Sequence, residues 1–352
     1  MEFDYIIIGA GSAGCVLAHH LSSDKSNRVL LIEAGPENGA LSLKMPAAVL
    51  SNLTSTKHNW AFKGEPEPEL NDRIIQHDRG KTIGGSSSIN GLVFIRGHAL
   101  DYEGWQQAGC PGWGYADVLP YFKRMENYGG GEDVFRGVDG PLHVYRADPQ
   151  DPITLAFIKA GQEAGYPGTN DISGFCQEGF GVSDRNVYNG ERWSTARAYL
   201  DPARKRSNLK IQTGSIVHKI IFDGTKAVSV TYMTGSGALK SVQARKEIIL
   251  SAGAVGSPHI LMLSGIGPAA HLQDMGIDVL HDLPGVGQNL NDHPDFVLKY
   301  KCNQPVSFWP KTKRLAKLGA GIQWILTRRG IVTSNLFEGL GCIRSGKDVD
   351  YP

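Results

Sequence analysis

The sequence has little of what several protein classes require. Its charges nearly cancel, with 36 Lys and Arg against 35 Asp and Glu for a formal net charge of +1. No global excess is present to hold a polyphosphate or an anionic membrane, so no nucleic-acid partner is expected. Five cysteines (Cys15, Cys110, Cys176, Cys302, Cys342) are odd in number and widely spaced, without a CxxC pair. They suggest neither a disulfide framework nor a cysteine zinc site and fit a reducing compartment, and no metal is expected. No uninterrupted apolar run reaches the roughly 18 residues of a membrane span. The MEFD start lacks the basic region and cleavage pattern of a secretory signal. A cytoplasmic protein is expected. Without HExxH or GxSxG, zinc-protease and serine-hydrolase chemistry have no support. Gly80-Lys81-Thr82 imitates the end of a P-loop, but Ile75 stands where the first glycine belongs.

What is present begins with size: 352 residues, 41% hydrophobic and 20% charged, describe a folded chain of about two domains. Glycine is in excess, 44 residues or about one in eight, against roughly 7% in average usage. Such an excess implies close backbone approach. From Tyr5 to Glu33 the chain reads apolar strand, GAGSAG turn, helix and second apolar strand, a βαβ unit. In its GxGxxG, Gly9 permits the tight turn, Gly11 lets the backbone approach a pyrophosphate, and Gly14 packs helix on strand. The helix N-terminus then favours an anion. Glu33, 19 residues after Gly14, is placed to accept both ribose hydroxyls of an adenosine. The block predicts dinucleotide binding without choosing between NAD and FAD.

Downstream, Asn71–Gly97 contains a second glycine-rich, ligand-facing loop. Residues 153–165 have helical spacing, and RWSTARAYL from Arg192 predicts another helix. Four strand-like runs follow from Leu209. Ser251–Gly267 is glycine-flanked and apolar, with a helix start expected at Ser257-Pro258 because proline suits a first turn. Lys311, Lys313, Arg314, Lys317, Arg328 and Arg329 surround an apolar centre, a pattern compatible with peripheral contact at the inner face of an anionic membrane or with a solvated basic face.

The GxGxxG block with Glu33, RGKTIGGSSSINGLVF (Arg79–Phe94) and GAVGSPHILMLSGIG (Gly253–Gly267) together resemble the glucose–methanol–choline oxidoreductases. The likeness is greatest to the branch of choline and aliphatic-alcohol dehydrogenases, and RWSTARAYL and GVGQNLNDH are also similar to family blocks. The resemblance implies an α/β fold, with a Rossmann-like FAD-binding domain (1–145 and 208–293) and an incomplete α+β substrate domain (146–207 and 294–352). It selects FAD over NAD. By resemblance, Gly9, Gly11, Ser12, Ala13 and Gly14 cradle the diphosphate, Glu33 and Ala34 hold the ribose, and Val217 meets adenine. Arg79, Gly80, Gly84, Gly85, Ser86, Asn90, Gly91 and Val93 would line diphosphate and isoalloxazine, and Ser251, Ala252 and Gly253 would complete the cofactor site. Ile89 replaces the histidine through which some relatives attach FAD, so non-covalent FAD is expected.

The implied function is oxidation of a primary alcohol to an aldehyde by hydride transfer to flavin N5, with a quinone, a respiratory carrier or oxygen as acceptor. The resemblance places the catalytic histidine beyond residue 352, so no catalytic residue is named within the chain. The alternatives are an FAD-binding fragment without full catalysis and a hydroxynitrile lyase of the same family. His293 is the candidate for an imidazole near the site, set against a structural loop histidine. Glu338 is the candidate carboxylate for a cationic substrate such as choline, set against a structural acid.

Overall fold

The computed structural model describes residues 2–149, 151–308, 310, 313–346 and 348–352; Lys311 of the basic segment lies outside them. The chain forms two compact units, each drawn from separate stretches: residues 1–40, 51–90 and 194–298 in one, 41–50, 91–193 and 299–352 in the other.

The first unit is built on a six-stranded sheet. Its order is Leu209–Gln212, β2 (Val29–Ile32), β1 (Glu2–Ile8), Leu239–Leu250, Lys226–Thr234 and Ser215–Asp223. The first four strands run parallel, with Ile8 opposite both Ile32 and Leu250, and the last two complete an antiparallel meander. Tyr5–Ile8 of β1 and all of β2 read as continuous apolar runs because parallel central strands are covered on both faces. Ile6, Ile7, Val29 and Leu31 accordingly have no exposed surface. Helix α1 (Ser12–Leu21) crosses between β1 and β2 and buries Gly14, Cys15 and Ala18, a face of small residues that brings the helix axis close to the sheet.

Two local expectations are corrected. The third motif turns helical at Gly253, not at Ser257-Pro258, and Pro258 lies inside the helix Gly253–Leu263. Gly253, at φ +80°, makes the sharp exit from the strand, so the helix begins there. Proline at 258 removes only the N–H that would bond Ala254, within the helix's second turn. In RWSTARAYL, Arg192 belongs to a two-residue strand paired with Val187–Tyr188, and helix begins at Ala196 as one widened turn before Asp201–Ala203.

The second unit holds a four-stranded sheet, ordered Val93–Phe94, Asp184–Arg185, Leu142–Arg146, Glu126–Tyr128. A separate strand pair joins Gly179–Val182 to Gly339–Cys342. Helix Pro152–Glu163 packs against that pair: a Cβ on Gly161 would stand 2.3 Å from the Phe180 ring. Its core also contains charge. Fully buried Arg136 contacts Glu126, Asp171 and Asp184 at 3.2, 2.7 and 2.9 Å and lies 3.6 Å from the Tyr128 ring centroid, while Arg96 takes the same Glu126 oxygen.

The units depart from the expected division in four places, of which 41–50 joins the second unit and 294–298 the first, and the two larger ones follow. Residues 91–145 fold with the second unit, because Val93 pairs with Arg185 and Glu126 with Leu142. Residues 194–207 fold with the first, where the Tyr199 carbonyl meets His19 Nδ1 at 2.8 Å and Arg206 donates to Ser22 Oγ at 2.9 Å.

Candidate active site

Three motifs far apart in sequence meet in the first unit, at the C-terminal ends of β1, β2 and the Leu239–Leu250 strand. That end of a parallel sheet is where α/β folds place ligands. Ser251 follows the last strand, and its hydroxyl donates to the carbonyls of Ile8 and Gly9, both at 3.0 Å. Gly9 has φ +94°, and a Cβ there would lie 2.6 Å from the Ser251 carbonyl oxygen; one on Gly14 would stand 1.9 Å from the Gly9 carbonyl oxygen. Gly11 differs, since a Cβ would meet nothing within 4 Å. Two glycines of the motif are thus filled from behind, and the middle one faces open space.

Gly11 is the N-cap of α1 and supplies no capping side chain, and the first turn holds no acid. The N–H groups of Ser12 and Ala13 precede any helical acceptor, and both residues are exposed. Bare donors at the positive end of a helix, before an open glycine, fit a diphosphate.

The second motif closes on the first through backbone. Gly84 N–H donates to the Ala10 carbonyl at 2.7 Å, and a Cβ on Gly85 (φ +53°) would lie 2.7 Å from Gly11 Cα. Gly80 leaves room for the Gly85 backbone and donates its N–H to Ser86 Oγ at 3.1 Å. The serines are not a solvated turn: Ser87 Oγ bonds Gly84 O at 2.6 Å and Thr195 Oγ1 at 2.9 Å, and Ser88 Oγ bonds Ile83 O at 2.8 Å. Arg79 reaches Asp292 of the NDHP segment at 3.4 Å, an exposed pair that contributes little stability. Ile89 is buried and carries no nucleophilic atom.

Glu33 lies one residue past β2 and is buried. Its Oε2 accepts the Ala10 N–H and its Oε1 the Gly35 N–H, both at 2.8 Å. Burial pushes its carboxyl up, opposed by those two N–H bonds. Each oxygen has a further lone pair to offer. Half-buried Ala34 and then Gly35 follow. Sequence reasoning missed Gly35, although its place directly after Glu33-Ala34 was the available signal: a Cβ there would lie 2.2 Å from the Lys81 backbone. Ser215 N–H returns to the Glu33 carbonyl at 2.9 Å, which brings Val217, two residues on, to the same end of the sheet. Ser251, Ala252 and Gly253 join the cradle, and Asn90, the last residue of the second motif in the first unit, has its N–H on the Ser86 carbonyl.

Other candidates fall elsewhere. Gly91 and Val93 belong to the second unit, where the Gly91 carbonyl accepts from Asn335 Nδ2 at 2.9 Å. His293 is exposed and donates its backbone N–H to Asp292, which helps to hold the Asp292 carboxyl low. Glu338, in the second unit, faces Arg185 at 3.5 Å. Cys15 lies under the cradle with its thiol pushed up to about 12 by burial, which makes it inert at neutral pH. Among the described residues, no cluster of three His, Cys, Asp or Glu side chains could hold a metal ion, and no helix is long and apolar enough to cross a membrane.

The family model described as GMC oxidoreductase matches residues 3–295. The chain belongs to this family. Its curated relatives include oxygen-dependent choline dehydrogenases from Sinorhizobium fredii, 48% identical over 352 residues, and from Brucella ovis, 46% identical over 353. Each match covers 100% of this chain and 64% of the relative, so the chain spans about 64% of their length. Among solved structures, an FAD-dependent oxidoreductase from Chaetomium thermophilum matches with a TM-score of 0.88 and 31% identity, over 97% of this GMC chain and 62% of that one.

Proposed function

We propose that this GMC chain binds FAD in the first unit and serves the oxidation of a primary alcohol, with a cationic alcohol of the choline type as substrate. The observation that carries the reading is the convergence of three glycine motifs on one cradle, two filled glycines behind and the open Gly11 in front. Bound FAD supplies a hydride acceptor. The chain's own part is to hold and orient. The bare N–H groups of Ser12 and Ala13 meet the diphosphate, and Gly11 and Gly85 keep side chains out of its way. Glu33 takes ribose hydroxyls on its free lone pairs, and the Val217 backbone borders the adenine. Arg79, Gly80, Gly84, Ser86 and Asn90 line the flavin end, and Ser251 to Gly253 close the cradle. With Ile89 where a nucleophile would be needed, the flavin is held without a covalent bond.

The acceptor is oxygen or another electron carrier; the support for oxygen is the activity named for the curated relatives. The test is the visible spectrum of the purified 352-residue chain, recorded without oxygen before and after choline and a neutral primary alcohol. Flavin bands that bleach with choline are expected. Bands that persist with both alcohols would refute alcohol oxidation by this chain, and a preparation that takes up no flavin would refute the cradle.

A further inference from the structure

A cavity of about 410 Å³ in the second unit is lined by the charged Asp148, Asp151, Arg185 and Glu338 together with Phe308 and Thr333. Glu338 is only 7% exposed. Its Oε1 stands 3.5 Å from Arg185 Nη1, longer than a charge-assisted hydrogen bond. Arg185 donates that nitrogen to the Thr333 carbonyl at 3.3 Å, and its buried Nε has no hydrogen-bond partner among the described residues. The guanidinium is therefore loosely held. Burial pulls its pKa down, opposed by the charges of Glu338 and Asp148. Among the described lining residues, three carboxylates stand against one guanidinium, a net negative wall when all are ionised, and Phe308 adds an aromatic surface that suits a quaternary ammonium.

We propose that Arg185 sets the charge preference of this cavity: its guanidinium competes with an incoming organic cation for the Glu338 carboxylate, so a small ammonium alcohol enters as far as Arg185 yields. The inference rests on the choline-type reading above and deepens it. Arg185 is a specificity-determining residue in this scheme, acting through Glu338. Removing its charge strengthens cation binding and leaves a neutral ligand of the same shape unaffected.

The probes are tetramethylammonium and the uncharged 3,3-dimethylbutan-1-ol, each titrated calorimetrically into the full chain. Arg185→Gln keeps a donor for Thr333 while removing the charge, and is expected to bind tetramethylammonium about tenfold more tightly with the neutral alcohol unchanged. Arg185→Lys restores the cation-to-neutral ratio of the unsubstituted chain. Equal shifts for both probes, or no gain for the cation in the Gln variant, would overturn the proposal. Should that variant not fold, Asp148→Asn tests it with the opposite sign. Loss of one attracting carboxylate weakens the cation about tenfold and spares the neutral alcohol, and an unchanged or tighter cation overturns the proposal. Because the readout is binding, a chain that sorts the probes as expected yet keeps its flavin oxidised with choline would sink only the alcohol-oxidation reading.

Discussion

The cradle of the first unit and the ion-paired core of the second solve opposite problems. In the cradle, backbone must approach backbone: Gly84 N–H reaches Ala10, Gly85 backs onto Gly11, and Gly14 onto Gly9, so side chains are absent where contact is closest. In the second unit, buried charged side chains join the segments instead, and Arg136 alone ties three carboxylates from different segments. Absence of atoms creates room for a ligand, whereas the charge cluster fills its space with side chains. Binding and rigidity are therefore separable in this chain.

The sharpest way to break that comparison is Arg136→Met. Stranding Asp184, which is 1% exposed, and depriving Glu126 of a partner is expected to cost about 3–5 kcal/mol. Urea unfolding would measure it, with flavin uptake by the surviving folded fraction unchanged. A silent substitution would mean that the cluster does not organise the second unit. Next in size are two glycine changes with opposite signatures. Gly14→Ala forces a Cβ to 1.9 Å from the Gly9 carbonyl oxygen, for an expected loss of about 3 kcal/mol in calorimetry. Gly11→Ala, whose Cβ meets nothing within 4 Å, melts like the unsubstituted flavin-free chain yet loses flavin. If both variants melted alike and both kept flavin, the division into filled and open glycines would fall.

The smallest effect is a slope. Burial raises the Glu33 carboxyl above its ordinary 4.5, so the folded, flavin-free chain holds that proton more tightly than the unfolded chain does. Glu33 then withdraws stability as pH rises from 4.5 through the raised value, and contributes none of this loss below 4.5. Glu33→Gln is expected to flatten that part of the Tm-against-pH curve. A parallel curve would place the titration elsewhere.

The cradle was legible because its demands are local. Gly9, Gly11 and Gly14 stand at fixed spacings within one βαβ unit, and Glu33 falls where the second strand must end. The charge cluster was not, because Arg136 meets partners 10, 35 and 48 residues away, and no spacing rule announces such pairs. The unit boundary failed for the same reason, since residues 91–145 are claimed by Val93 pairing with Arg185, a contact invisible in any window of sequence. Pro258 misled because proline suits a first helical turn, yet Gly253 had already turned the chain.

The sheet register has a consequence for how the molecule is made. β1 leaves the ribosome long before one of its two neighbours, the Leu239–Leu250 strand, with Ile8 opposite Leu250. At about 5–20 residues per second, more than 240 residues of synthesis separate the two, roughly 12–50 s. For that interval the apolar run Tyr5–Ile8 can find β2 but has an open edge on its other side. Until the Leu239–Leu250 strand is made, that edge of β1 is open to wrong pairing, a hazard that follows from strand order alone.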